Sequence, residues 1–198
     1  MKIGAVLMAS GFGARFGGNK LLQEVDGVPM IRKTFAALPA ALFDRAVVVS
    51  SYPEILDLAK ERKYQPLPNP QAAEGQSASI RLGLAELLDM DGVLFAVCDQ
   101  PWLMRKSVKR LLEAFTLFPD KICALSWQGK RGNPVIFPAE FFSQLLSLTG
   151  DRGGAKIIQA NPHRLYLVKV GRGIELRDVD VLSDLKQQTR KTEKEELL

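Results

Sequence analysis

Between residues 7 and 20 the chain reads Leu-Met-Ala-Ser-Gly-Phe-Gly-Ala-Arg-Phe-Gly-Gly-Asn-Lys. Its four glycines leave backbone N–H groups open, and Arg15 and Lys20 are its only cations. A turn of this kind, leaving an apolar run, suits the oxygens of a phosphate. A second feature lies at residue 99, where the apolar run 93–98 stops abruptly at Asp99-Gln100-Pro101. Mg2+ takes one or two carboxylates and completes its shell with phosphates and waters, so a single Asp at a strand end is a good ligand for it. A turn-forming Asp that bonds to nearby backbone is the competing reading of the same residue. Near the end of the chain Asp178 and Asp180 stand two apart and share one face of an extended segment.

Two familiar phosphate cradles fail on spacing. A Walker A loop needs Lys followed by Ser or Thr, and here Leu21 follows Lys20. In the dinucleotide fingerprint the third glycine falls where this chain has Phe16, with Gly17 one position late. The acidic residue expected at the end of a second strand is also missing, since Val49 runs into Ser50 and Ser51.

The elements that must position these residues follow from periodicity. Residues 3–8 are continuously apolar, as in a strand covered on both faces. Residues 46–49, 93–98, 122–127, 134–137 and 165–170 read as further strands, and 174–179 as an extended segment. Helices are expected over 29–38, from Pro53 and from Pro138, over 77–88 with Ser77 as cap and Leu88 facing inward, and over 107–118 and 155–160. A last helix is expected from Ser183. Proline-rich residues 65–76 read as a short strand and a long loop, and 128–132 as a turn. Strands alternating with helices imply a Rossmann-like three-layer α/β/α fold with a mostly parallel sheet. Spacing after residue 160 suggests some antiparallel strands late in the chain. In such a sheet ligands sit at the carboxyl ends of strands. If the first strand and 93–98 are neighbours, the glycine-rich loop and Asp99 face one crevice.

Composition bounds the rest. A chain of 198 residues, 46% hydrophobic and 25% charged, suits one soluble domain, expected over 1–186, with 187–198 a charged tail that is frayed or disordered. The net charge of +5 is compatible with an anionic ligand but too diffuse to argue for nucleic acid, and none is expected as a partner. Cys98 and Cys123 sit in apolar runs and read as buried thiols of a reducing cytosol. The apolar run after Met1-Lys2 is too short for a signal peptide, and no run approaches the roughly 20 residues of a membrane span. A cytoplasmic protein without membrane contact is expected.

With these residues in view, residues 8–20 resemble the signature of the MobA-like nucleotidyltransferases. Four later segments match in order: 74–84 around Glu-Gly-Gln-Ser-Ala-Ser, 98–101, 131–137 and 150–155. The segment 178–185 is similar to the closing motif. Residues 75–79 and the Gly-Asp-Arg-Gly segment at 150–153 resemble the molybdenum cofactor cytidylyltransferase branch. The resemblance implies a fold of the nucleotide-diphospho-sugar transferase type. It further implies transfer of CMP from CTP to the phosphate of molybdopterin, release of pyrophosphate, and Mg2+ or Mn2+ as cofactor. A target molybdoenzyme is a further implied partner.

The resemblance also implies roles. Arg15, Lys20 and Asp99 would be catalytic, the cations neutralising the triphosphate and Asp99 holding the metal with Asp180. Ala9, Ser10, Gly11, Phe12, Gly13, Lys20, Gly75 and Ser79 would bind the nucleotide. Asn133, Asp151, Arg152 and Asp178 would contact the acceptor, with Asp178 an alternative metal contact. Competing readings stay open: Asp180 as a helix cap, Ser79 as a plain helix residue, and Asp151-Arg152 as a surface turn. The chain departs from the family pattern at Ser10 (usually Ala), Gly13 (often Ser), Cys98 (commonly Gly) and Asn133 (often His). Val181-Leu182-Ser183 also replaces Thr-Pro-Glu. Two alternatives remain: a nucleotidyltransferase using GTP or another acceptor such as a sugar phosphate, and a non-catalytic accessory protein that binds nucleotide or cofactor.

Overall fold

The apolar run at the start of the chain becomes a central strand because both of its faces are covered. The computed structural model describes residues 1–11, 19–151 and 153–179. The end of the expected domain at 186, the expected last helix and the charged tail lie outside the described residues. In chain order the strands are β1 (Ile3–Met8), β2 (Glu24–Val25), β3 (Val28–Pro29), β4 (Arg45–Ser50), β5 (Gln65–Pro68), β6 (Gly92–Val97), β7 (Ile122–Trp127), β8 (Lys130–Pro138) and β9 (Leu165–Lys169). The α-helices are α1 (Met30–Ala37), α2 (Pro53–Glu61), α3 (Gln76–Ala85), α4 (Arg105–Leu117), α5 (Phe142–Leu146) and α6 (Ala155–Ala160).

Seven strands form one sheet in the order β5-β4-β1-β6-β8-β7-β9, and β2 and β3 make a small hairpin beside it. Pairings β4–β5, β1–β4, β1–β6 and β7–β9 are parallel. Only β8 runs against its neighbours, pairing antiparallel with both β6 and β7. The fold class agrees with the expectation, but the reversed strand lies at 130–138. The pairing after residue 160 is parallel.

Alternate residues of the central strands point to opposite layers. Ala5, Leu7, Val48, Leu94 and Ala96 pack with Ile31 and Phe35 of α1 and Leu111 and Phe115 of α4. Val6, Val47, Val49, Val93 and Phe95 pack with Ile80 and Leu84 of α3, Leu145 of α5 and Ile158 of α6. Each large side chain buried in this way contributes about 1.5–3 kcal/mol of transfer free energy. The two apolar layers make the sheet a stiff platform from which loops emerge at one end. No helix among the described residues is long and apolar enough to cross a membrane.

Several local expectations are corrected. Ser77 does not cap α3: Gly75 is the N-cap, and Ser77 lies inside the helix, where its hydroxyl accepts a hydrogen bond from Arg81. The helix ends at Ala85, so Leu88 is 53% exposed while Leu87 still turns inward. The turn expected over 128–132 is only Gln128-Gly129, both at positive φ (49° and 77°), which matches the twist of a tight hairpin. The polar residues Lys130 and Arg131 therefore belong to β8, held by the ladder with Trp127 and Ser126 rather than by their own propensity. Residues 173–176 form a 3-10 turn instead of an extended segment.

Helix α3 lies so close to the sheet that a Cβ on Gly83 would sit 2.4 Å from Cγ1 of Val6. Val6 is β-branched and fully buried, so it cannot swing away. We expect Gly83→Ala to destabilise the protein by about 1–3 kcal/mol, as overpacking does. A urea unfolding midpoint equal to that of the wild type would show that α3 can retreat.

Candidate active site

Strand β1 delivers the start of the glycine-rich loop, and its pairing with β6 decides what the loop meets. Met8 lies opposite Val97 across the parallel ladder, so both chains leave the sheet side by side. The exit of β1 is tied to β4. Ala9 donates its N–H to the Val49 carbonyl at 2.8 Å, and its own carbonyl accepts from the Ser50 hydroxyl at 2.9 Å. Ala9 thus anchors the loop from below, with both backbone groups bonded to the neighbouring strand. Ser10 and Gly11 follow and line the cavity above. Phe12, Gly13 and Arg15 lie outside the described residues. The chain returns at Asn19, whose side chain accepts the Leu21 N–H at 3.1 Å and so starts the turn that presents Lys20.

Lys20 meets Asp99. Its ammonium donates to Asp99 Oδ2 at 2.7 Å and to the Val179 carbonyl at 3.2 Å. The pair is partly shielded from solvent, with side-chain exposures of 15% and 21%. The Asp99 carbonyl accepts from Val179 N–H at 3.0 Å, which lays the segment 176–179 along the end of β6. Gln100, 3% exposed, donates to the Leu176 carbonyl at 3.2 Å and to Asp178 Oδ1 at 2.8 Å. The buried Glu175 carboxylate accepts from Ser107 of α4 and from the N–H groups of Gly171 and Arg172, so the same segment is fixed from behind. Asp178 thereby reaches the cavity that Asp99 lines. Asp180 lies outside the described residues.

These carboxylates fit a hard divalent cation. Asp99 Oδ1 is buried and has no hydrogen-bond partner among the described residues, so one carboxylate oxygen is left for a ligand. Asp178 offers a second carboxylate in the same cavity. No group of three or more potential metal-binding side chains occurs among the described residues. That donor set suits Mg2+ or Mn2+, which retain waters and phosphate oxygens, better than a closed structural zinc site.

The cavity measures about 870 Å3. Lys20, Asp99 and Asp178 line it together with Gly75, Ser79 and Asp151. Gly75 has φ of +90°, and a Cβ there would fall 2.7 Å from the Asp151 Cα. Only glycine lets the segment at 150–151 close over the start of α3, where Gly150 accepts from Ser77 N–H at 3.3 Å. Arg152 lies outside the described residues. Asn133 lines a separate, smaller cavity of about 150 Å3, which shares Met8 and Gln76 with the large one. Asn69, Gln100 and Glu175 escaped the sequence reading as site residues. Gln100 lies within the segment after β6, and Asn69 before Pro70 carries a turn signal; Glu175 carries no signal at all, because only packing brings it to α4.

Comparison with known proteins adds the following. The family model "MobA-like NTP transferase domain" matches residues 5–165. The bifunctional enzyme IspD/IspF of Rhodospirillum rubrum is 33% identical over 135 residues, which are 63% of this chain and 34% of that enzyme. The match therefore spans about a third of that relative's length. The purine catabolism protein PucB of Bacillus subtilis is 24% identical over 91% of this chain and 89% of its own. A probable molybdenum cofactor guanylyltransferase of Synechococcus elongatus is 25% identical over 67% and 68%. Among solved structures, a nucleotidyl transferase of Methanothermobacter thermautotroptrophicus superposes with a TM-score of 0.78 at 24% identity, covering 94% of this chain and 95% of that one. A Mycobacterium tuberculosis protein in complex with manganese gives a TM-score of 0.75 at 19% identity, over 94% and 97%.

Cys98 stands beside Asp99, yet its thiol is buried, and burial first and the Asp99 charge second push it far above its ordinary range. Cys123 is pushed up to about 12, again mainly by burial. The thiolate is the reactive species, so neither residue is poised to react in the folded chain. We expect the native protein to react with Ellman's reagent at pH 8 far more slowly than the urea-unfolded protein, which exposes both thiols. Rapid modification of one thiol in the native state would show that the strand ends open.

Proposed function

This chain belongs to the MobA-like NTP transferase family, and on that premise we propose that it is a divalent-metal-dependent nucleotidyltransferase that moves CMP from CTP to the phosphate of a molybdopterin-type acceptor. The observation that carries the reading is the convergence of Lys20, Asp99 and Asp178 at the mouth of a cavity large enough for a nucleotide. The cytidylyl assignment is supported by residues 75–79 and 150–153, which resemble that branch. The guanylyl activity named for the Synechococcus relative keeps GTP as the alternative donor.

The chemistry asks little of a general base. An acceptor phosphate is already anionic near neutral pH, so catalysis consists of positioning and charge neutralisation. In the proposed reaction Lys20 leaves Asp99 for the triphosphate and neutralises charge that builds on the departing pyrophosphate. Arg15 is assigned the same task. Asp99 and a second carboxylate, Asp178 or Asp180, would hold Mg2+ or Mn2+, which when bound supplies positive charge at the phosphates. The backbone of Ser10, Gly11, Phe12 and Gly13 would face the phosphates, with Ala9 fixing the loop's base. Gly75 and Ser79 would border the sugar and base. Asn133, Asp151 and Arg152 are assigned to the acceptor side. Residues 1–186 would form the catalytic domain.

The test is pyrophosphate release with each NTP, with and without molybdopterin and Mg2+. We expect turnover with CTP only when both are present. Tight nucleotide binding without turnover on any NTP would replace the enzyme by an accessory binding protein. Asp99→Asn is expected to lower turnover by about 100-fold or more, in line with the removal of one essential electrostatic group. Its thermal midpoint should stay close to that of the wild type, because a partly exposed ion pair adds little stability. Unchanged turnover would remove Asp99 from the metal site.

A further inference from the structure

Asn69 directly follows β5, is 3% exposed, and its side chain bonds to Gln71 and to two cavity residues, Ser10 and Ser79. Its side-chain oxygen accepts the N–H of Gln71 at 3.0 Å. A backbone N–H can only donate, so this contact settles which end of the amide is oxygen. The NH2 group is then turned toward two serines that line the cavity. It donates to Ser10 Oγ at 3.0 Å and to Ser79 Oγ at 3.2 Å, one hydrogen to each.

The hydroxyl protons follow by elimination. Ser10 donates to the Val49 carbonyl at 3.1 Å, an acceptor only, so its proton is assigned. Ser79 accepts from Asn69, and among the described residues no hydrogen bond is made by its own proton. Ser79 is 3% exposed and lines the large cavity. With one lone pair taken by Asn69 and its proton uncommitted, this buried hydroxyl is free to donate to a ligand in the cavity. Gly75, one helical turn earlier, lines the same cavity.

We propose that Asn69 is a positioning residue that, by donating to Ser79, orients its hydroxyl to donate a hydrogen bond to an acceptor atom of the bound nucleobase, a ring nitrogen or carbonyl oxygen. The inference rests on the reading of the cavity as a nucleotide site. It assigns to Ser10, the position where the family usually has Ala, a part in the same relay: its hydroxyl takes one hydrogen of Asn69 and so directs the other to Ser79. Asn69 itself touches no substrate.

The substitution Asn69→Asp inverts the relay at pH 8. An ionised carboxylate keeps the bond from Gln71 N–H but can only accept from Ser79, which turns the Ser79 proton away from the ligand. Titration calorimetry with Mg-CTP and with Mg-tripolyphosphate, on the full chain, reads the effect. We expect Asn69→Asp to weaken CTP about tenfold more than it weakens tripolyphosphate, because the added negative charge acts on both ligands and the lost hydrogen bond on CTP alone. We expect Ser79→Ala to weaken CTP by a similar factor, and the double variant to be no weaker than either single one. If Asn69→Asp does not fold, Asn69→Ala takes its place in the cycle, since it removes the donor without adding charge. Its loss should be smaller, about threefold, and absent in the Ser79→Ala background. Equal losses for CTP and tripolyphosphate, additive losses in the double variant, or wild-type affinity in both Asn69 variants would overturn the inference while leaving the nucleotide site intact. A wild-type protein that binds neither ligand would overturn the nucleotide site itself, and this inference with it.

Discussion

The ammonium of Lys20, held 2.7 Å from the Asp99 carboxylate, is the contact on which the site depends. It joins the end of the glycine-rich loop to the end of β6, and its second bond reaches the Val179 carbonyl. Three stretches far apart in sequence are thereby closed on one point. The contact exists because β1 and β6 are parallel neighbours in the sheet, with Met8 opposite Val97. An antiparallel pairing would have sent the loop and the aspartate to opposite ends.

Around that point the polar groups are held by backbone more than by other charges. Ala9 is bonded to β4 through both its N–H and its carbonyl, and Val179 is bonded to Asp99 in the same way through one N–H. Buried polar side chains do the remaining work: Gln100 holds Asp178, Glu175 holds the turn at 173–176, and Asn69 holds two serines. The sheet beneath is closely packed, with Gly83 of α3 lying directly against Val6. Rigidity of this kind matters for chemistry that works by placing charge, since a buried dipole that need not reorient is worth more than one in water.

Among the described residues, one oxygen of Asp99 stays buried and without a hydrogen-bond partner, and so does the carbonyl oxygen of the Gln100 side chain. Unsatisfied buried acceptors cost free energy, typically about 1–3 kcal/mol each. The Asp99 oxygen lies at the large cavity, next to the Lys20 ammonium, as suits a site organised to receive a ligand.

The sequence by itself determined the strands over 3–8 and 122–127, the helix over 155–160, the two-sided apolar pattern of the sheet and the loop-plus-aspartate pair, because these are local signals of periodicity and turn chemistry. It also pointed to the family, through short segments whose order along the chain survives without any knowledge of contacts. Tertiary structure alone decided the rest. The polar start of β8 is a strand only because β7 offers it a ladder. Gly75 became the helix cap, in place of Ser77, because the segment at 150–151 lies against it. The donor state of Ser79 depends on an amide ten residues away and on Ser10 beyond that. A local pattern carries backbone preference and burial, whereas the direction of a hydroxyl proton is set by partners that only the folded chain brings within 3 Å or so.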